Sequence, residues 1–259
     1  KAIAVTVDSS ANYCKAHPLS GGKQIVCESW RNLISVGSKP IAITNCLNFG
    51  NPENPKIMGE FAECLLGVKE ACEFLEYPVV SGNVSFYNGT NKKNIDPTPV
   101  IGGVGLVKDS KNRINHLLKK NENLILQVGK TFGHLYQSIY FKEIYSITEG
   151  PPPEINLSNE KSNGETVLKL IDNKLLDSVH DISSGGLILA LAEMCMASGY
   201  GIDIQKPSKL SNLAEYYFGE DQGRYLLEIE PKNLQKVTEI LSENNIYNEK
   251  VATVQKKDF

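Results

Sequence analysis

The chain has 259 residues, enough for one large or two ordinary domains, each able to bury a full core. Its 27 Lys and Arg stand against 30 Asp and Glu, a net charge of −3, which leaves no electrostatic footprint for a nucleic-acid or membrane partner. No apolar run approaches the length that spans a bilayer, and six cysteines without CxxC or zinc-type spacing fit reduced thiols in a cytoplasmic protein.

The opening KAIAVTVD alternates Ile3, Val5 and Val7 with smaller residues and predicts a half-buried strand over residues 2–8. Because the chain begins within this pattern and shows no signal peptide, a piece of a longer protein is expected. After Pro18, the spacing of Ile25, Val26, Trp30, Leu33 and Ile34 makes one helix face, with Ser20 as expected cap and Gly37 as terminator. A strand over 39–46 runs into Leu47-Asn48-Phe49-Gly50, and Pro55 opens a second helix striped by Ile57, Met58, Phe61, Leu65, Val68, Cys72 and Leu75. Residues 77–87, YPVVSGNVSFY, read as a buried strand interrupted by Ser81-Gly82-Asn83. A polar loop then leads to the apolar strand VIGGVGLV, which ends near Val107.

The charged run from residue 108 to 123 marks a boundary between modules 1–108 and 109–259. The second module opens with a strand over 124–128 and an expected helix over 132–144, followed by Pro151-Pro152-Pro153, through which no helix passes. Val167, Leu168, Leu170, Ile171 and Leu175 predict a helix. Ser183-Ser184-Gly185-Gly186 precedes an apolar one, and a strand over 224–229, a helix begun by Pro231 and a strand over 251–255 complete the pattern. Helices alternate with strands in both halves, which indicates layers of helix on sheet.

Four groups of residues could carry chemistry. Gly82 leaves room for a close approach, Asn83 offers an amide oxygen and Ser85 a hydroxyl. With Asn45 on a neighbouring strand they could rim a phosphate and magnesium site, or simply form a bulged strand. The string His180-Asp181-Ile182-Ser183-Ser184-Gly185-Gly186 places free N–H groups at a helix start, suited to phosphate, although Ser183 or Ser184 could equally be a cap. Gly219-Glu220-Asp221-Gln222-Gly223-Arg224 reads as a solvated turn or a carboxylate pair. Cys14 and His17 offer a thiol and a base with nothing to orient them, and the sequon triplets at Asn83, Asn88 and Asn156 read as chance.

The strings SGGKQIVCESWRNLISVGSKPIAITNCLNFGNP, YPVVSGNVSFYN, PTPVIGGVGLV, VHDISSGGLILALAEM and FGEDQGRYLLEI, in this order, resemble the second half of the phosphoribosylformylglycinamidine synthase synthetase subunits, within the aminoimidazole-ribonucleotide-synthetase superfamily. The resemblance runs from Lys1 to Phe259. It implies an α+β / α/β half with an N-terminal sheet-and-helix module and a C-terminal α/β module. It also implies an ATP-dependent ligase that converts formylglycinamide ribonucleotide and ammonia to the amidine in purine biosynthesis, with ATP and Mg²⁺. The family pattern places nucleotide contacts at Asn45 and Gly82, a magnesium ligand at Asn83 and a substrate contact at Ser85, and puts the catalytic histidine in the missing N-terminal half. That half, a glutaminase subunit and a small accessory subunit are the implied partners, and homodimerisation of the fragment stays open. No Cys-His-Glu glutaminase set can be assembled here, so ammonia must come from outside. Asn45, Ser184 and Gly223 depart from the family's usual Asp, acidic residue and Ser. The alternative is a non-catalytic nucleotide-binding or scaffolding half that docks its partner subunits.

Overall fold

The structure is a computed structural model that describes residues 1–91, 93–207 and 212–256, with the backbone alone considered at residue 112. In the first module β1 (Ala2–Ser9), α1 (Ala11–Ala16), α2 (Pro18–Ser35), β2 (Lys39–Asn48), α3 (Pro55–Leu75), β3 (Val79–Ser85), the small hairpin β4 (Gly89–Thr90) and β5 (Lys93–Asn94), and β6 (Thr98–Val107) follow in order. Four of the strands form one sheet in the order β1-β6-β2-β3, antiparallel except for the parallel β2–β3 pair. The second module contains β7 (Leu124–Val128), α4 (Ile139–Tyr145), α5 (Leu157–Asp172), β8 (Ser178–Ile182), α6 (Gly186–Ser198), β9 (Gly201–Ile204), α7 (Leu213–Phe218), β10 (Arg224–Ile229), α8 (Leu234–Glu243) and β11 (Asn248–Gln255). Its sheet is antiparallel throughout, in the order β8-β10-β7-β11-β9. The fold is therefore the expected mixed α+β / α/β arrangement of two helix-on-sheet modules, with the sheet of the second module antiparallel.

One apolar core joins them. Ile25, Trp30, Leu33 and Ile34 of α2 meet Ile43 and Ile101 of the first sheet. The same cluster continues through Val167, Leu170 and Ile171 of α5 to Tyr225 and Leu227 of β10. The stripe on α2 thus serves two modules, and its i, i+3, i+4 spacing is the reason α2 can be buried along most of its length.

Several expectations need correction. Ile3, Val5 and Val7 of β1 point to the open face of the first sheet and are 74%, 73% and 74% exposed, while the smaller residues between them turn toward the helices. Alternation marks a strand but does not say which side is covered, and here the close approach of α2 selects the small side. β3 is not buried but exposed from Val79 to Val84, because it is an edge strand that, among the described residues, pairs with β2 alone. The helix expected over 132–144 shrinks to α4. Gly133 and Gln137 take positive φ values of 83° and 62°, and Ser138 caps a helix start at Ile139. α2 begins earlier than expected, with Nδ1 of His17 rather than Ser20 accepting the orphan N–H.

Candidate functional site

The parallel β2–β3 pair places Asn45 opposite Gly82, Cys46 opposite Asn83 and Asn48 opposite Ser85. Side chains alternate along a strand, so Asn45 shares the helix side of the sheet with Gly82, whereas Asn83 and Ser85 share the open side. A Cβ at Gly82 would collide with the Asn45 Oδ1 atom, so the space left by this glycine is occupied from within the protein. Asn45 also lines a groove of about 690 Å³ with Leu65, Val68, Lys69, Cys72 and Tyr77. On the other side Asn83 is exposed, and its amide has no partner among the described residues. The structure therefore brings the four residues together in pairs, on two sides of a free sheet edge that a ligand can reach.

Asn83 supplies one neutral oxygen for a cation. The open-face residues in register with it are Cys46, Val100 and Ser9, none of them a carboxylate. Magnesium prefers an octahedral set of carboxylate, phosphate and water oxygens. Asn83 thus fits as a single ligand to an ion whose anionic ligands come from elsewhere, and the described residues contain no His/Cys/Asp/Glu group that could hold a metal.

The second and third candidate strings converge on a cleft of about 1040 Å³ between the modules, lined among others by Asp8, Tyr13, Glu28, Ser183, Ser184 and Glu220. Here the sequence expectations change character. Glu220 is 2% exposed, and its Oε1 accepts the N–H groups of Gly185 and Ile139 at 2.8 Å each, while the Tyr13 hydroxyl donates to Oε2 at 3.1 Å. One N–H at the start of α6, that of Gly185, and one at the start of α4, that of Ile139, thus already hold an internal carboxylate. Burial raises the Glu220 carboxyl above its ordinary range, against those hydrogen bonds.

Asp221 is equally committed. It accepts N–H groups of Phe132 and Gly133 at 2.9 Å and of His134 at 3.3 Å. Arg224 is buried and donates to the Asp221 and Gly219 carbonyls and to Thr131 Oγ1, and burial pushes its guanidinium down to about 10. The string 219–224 is thus neither a solvated turn nor a carboxylate pair facing a substrate, but a buried clasp. Nothing in its spacing reveals that the carboxylates point at backbone.

Deeper between the modules, Arg31 donates from Nε to Glu160 at 2.8 Å and from Nη2 to Gln222 at 2.8 Å, with Glu28 at 3.4 Å from Nη1. His180 touches Glu193 at 3.0 Å and Asp181 at 3.3 Å. Burial opposes its charge, yet those two carboxylates raise its pKa. Cys14 is wholly buried against Gly21 and His17 is engaged as a cap, so the thiol and base are not a catalytic pair. Asn156 caps α5 and the Asn88 amide bonds inward.

The model of the AIR synthase related protein, N-terminal domain, matches residues 1–107, and that of the AIR synthase related protein, C-terminal domain, matches residues 123–258. The chain belongs to the AIR synthase related family. Among curated members, phosphoribosylformylglycinamidine synthase subunit PurL of Pelagibacter ubique (strain HTCC1062) is 59% identical over 254 residues, 98% of this chain and 35% of that protein. The same subunit of Bradyrhizobium diazoefficiens is 51% identical over 88% of this chain and 31% of its own length. This AIR synthase related chain therefore spans about a third of the length of the curated relatives it matches. Two solved structures share its fold: T. maritima PurL complexed with FGAR (TM-score 0.82, 15% identity, 98% of this chain and 42% of that one) and T. maritima PurL complexed with ATP (TM-score 0.78, 18% identity, 98% and 40%).

Proposed function

We propose that the chain forms the C-terminal half of an ATP-dependent C–N ligase that converts formylglycinamide ribonucleotide and ammonia to formylglycinamidine ribonucleotide. The observation that carries this reading is the 59% identity to PurL across 98% of the chain. The geometry supports a contributing rather than a complete site. Asn83 presents a neutral ligand for Mg²⁺ and Ser85 a hydroxyl for the substrate on the open face, while Asn45, whose side chain fills the space at Gly82, and the Gly82 backbone meet the nucleotide at the sheet edge. ATP would supply the phosphoryl group that activates the amide oxygen. This chain's residues orient that group and share its charge, which is the protein's main task in phosphoryl transfer.

The general acid/base histidine and the metal carboxylates are assigned to the preceding half of the full protein. The open sheet face, with Ile3, Val5 and Val7 uncovered, supports that half as its partner, and a second copy of this chain when the half is absent. A glutaminase subunit, with a small accessory subunit, would deliver ammonia. A cytoplasmic location fits the six free cysteines, and among the described residues no helix is long and apolar enough to cross a membrane.

The test is Asn83→Ala in the full-length enzyme supplied with ammonia. Loss of one metal ligand should lower kcat at least tenfold, on the order expected for a group acting on the transferring phosphoryl, and raise the Mg²⁺ requirement. Unchanged turnover would overturn the metal role.

A further inference from the structure

Ser85 is held by a residue that carries none of the roles assigned so far. Beyond β3 the chain turns back at Tyr87, a non-glycine residue with φ of 59°, and the Asn88 side chain folds over the strand end. Its Nδ2 lies 2.9 Å from the Ser85 carbonyl, 3.1 Å from Ser85 Oγ and 3.0 Å from the Phe49 carbonyl. The main chain reinforces this join, with Phe49 N–H donating to Ser85 O at 3.0 Å, Tyr87 N–H to Gly50 O at 2.9 Å and Asn88 N–H to Phe49 O at 3.2 Å. One amide group thus ties the exits of β2 and β3 together at the residue proposed to meet the substrate.

We infer that Asn88 is a positioning residue that fixes the Ser85 hydroxyl as a hydrogen-bond donor toward an anionic or carbonyl oxygen of the substrate. This rests on the substrate contact proposed for Ser85. A hydroxyl can accept and donate at once. The two Nδ2 protons serve three acceptors, the Ser85 and Phe49 carbonyls at 2.9 and 3.0 Å and Ser85 Oγ at 3.1 Å, so Oγ receives a shared hydrogen bond that leaves its own proton free to point outward. The reverse arrangement, Oγ donating to Asn88 Oδ1, has a separation of 3.4 Å, long for an O–H donor. Asn83 faces the same way two residues earlier, about 7 Å along the strand. The outward proton therefore lies beside the position proposed for the metal-bound phosphate. A donor aimed in advance at a charged or strongly polar oxygen costs no reorganisation when substrate arrives.

The test uses the full-length enzyme with ammonia, and KM measured separately for formylglycinamide ribonucleotide and for ATP. Ser85→Ala is expected to raise the ribonucleotide KM about tenfold, as for a hydrogen bond to a charged acceptor, and Asn88→Ala three- to tenfold, with the ATP KM within twofold in both. Asn88→Asp keeps the shape but replaces the donor group with a charged acceptor that draws the Ser85 proton inward, and is expected to raise the ribonucleotide KM at least as much as Asn88→Ala. In the Ser85→Ala background, Asn88→Ala should change the ribonucleotide KM less than twofold, because its route to the substrate is gone. If the two substitutions multiply, or if Asn88→Ala and Asn88→Asp move both KM values together, Asn88 is merely structural and the inference falls. If Ser85→Ala alone leaves the ribonucleotide KM unchanged, the Ser85 contact itself is wrong and both readings fall together.

Discussion

Glu28 shows how one side chain registers the crowding of charge between the modules. It sits beside Arg31, and burial together with the charges of Asp181, Asp8 and Glu160 pushes its carboxyl up to about 7 from an ordinary 4.5, with Arg31 opposing. Between those two pH values the folded chain holds a proton that the unfolded chain has released, so this group makes folding less favourable as pH rises from 4.5 to 7. Glu28→Gln removes the titration. Urea unfolding at pH 5 and pH 8 should show a smaller loss of stability for the variant than for the parent chain, and a variant more stable than the parent at pH 8. An equal fall in both proteins would place the titration elsewhere. None of this could be read from the sequence, where Glu28 is one acid on an amphipathic helix. The same limit applies to Glu220 and Asp221, whose targets are backbone N–H groups at Gly185, Ile139, Phe132 and Gly133, far away along the chain. Residue type announces an acid, and only the fold decides whether it meets solvent, substrate or a helix start.

At the level of elements, the helices with a strong apolar stripe were legible and the weakly marked ones were not. α2 and α3 follow from their periodicity and from Pro55, and β6, β7 and β10 from continuous apolar runs. α4 buries no residue, so no stripe marks it, and the short α1, β9 and α7 are held by neighbours rather than by their own pattern. Which glycine on a helix is needed is likewise a matter of what lies against it. Gly164 on α5 faces the Trp30 ring of α2, where an added Cβ would collide, whereas Gly59 on α3 has open space around that position. Gly164→Ala should destabilise the chain by about 1–3 kcal/mol through overpacking. Gly59→Ala should stabilise it by about 0.5–1 kcal/mol through helix propensity. Chemical denaturation of the two variants decides the matter, and a loss at Gly59 comparable to that at Gly164 would show that the α2–α5 contact is not what requires glycine.

For the molecule as a whole, the feature that most needs an explanation is the uncovered side of the first sheet. A soluble monomer rarely leaves three apolar residues of one strand in line and more than two-thirds exposed, beside the half-buried Val100, Val104 and Leu106 of its neighbour. The alternation in β1 was visible in the sequence, but a period of two is symmetric and does not say whether the apolar side meets the chain's own helices or something outside. If the face normally seats the preceding half of the longer protein, the isolated chain should use it to bind itself. Sedimentation at micromolar concentration is expected to give a dimer or larger species, and Val5→Asp to give a monomer with an unchanged melting temperature, because Val5 makes no part of the internal core. A monomeric parent chain would show that the sheet tolerates water, and the case for a partner on this face would then have to rest on the exposed edge of β3 alone. A Val5→Asp variant that unfolds would mean instead that the face contributes to this chain's own stability.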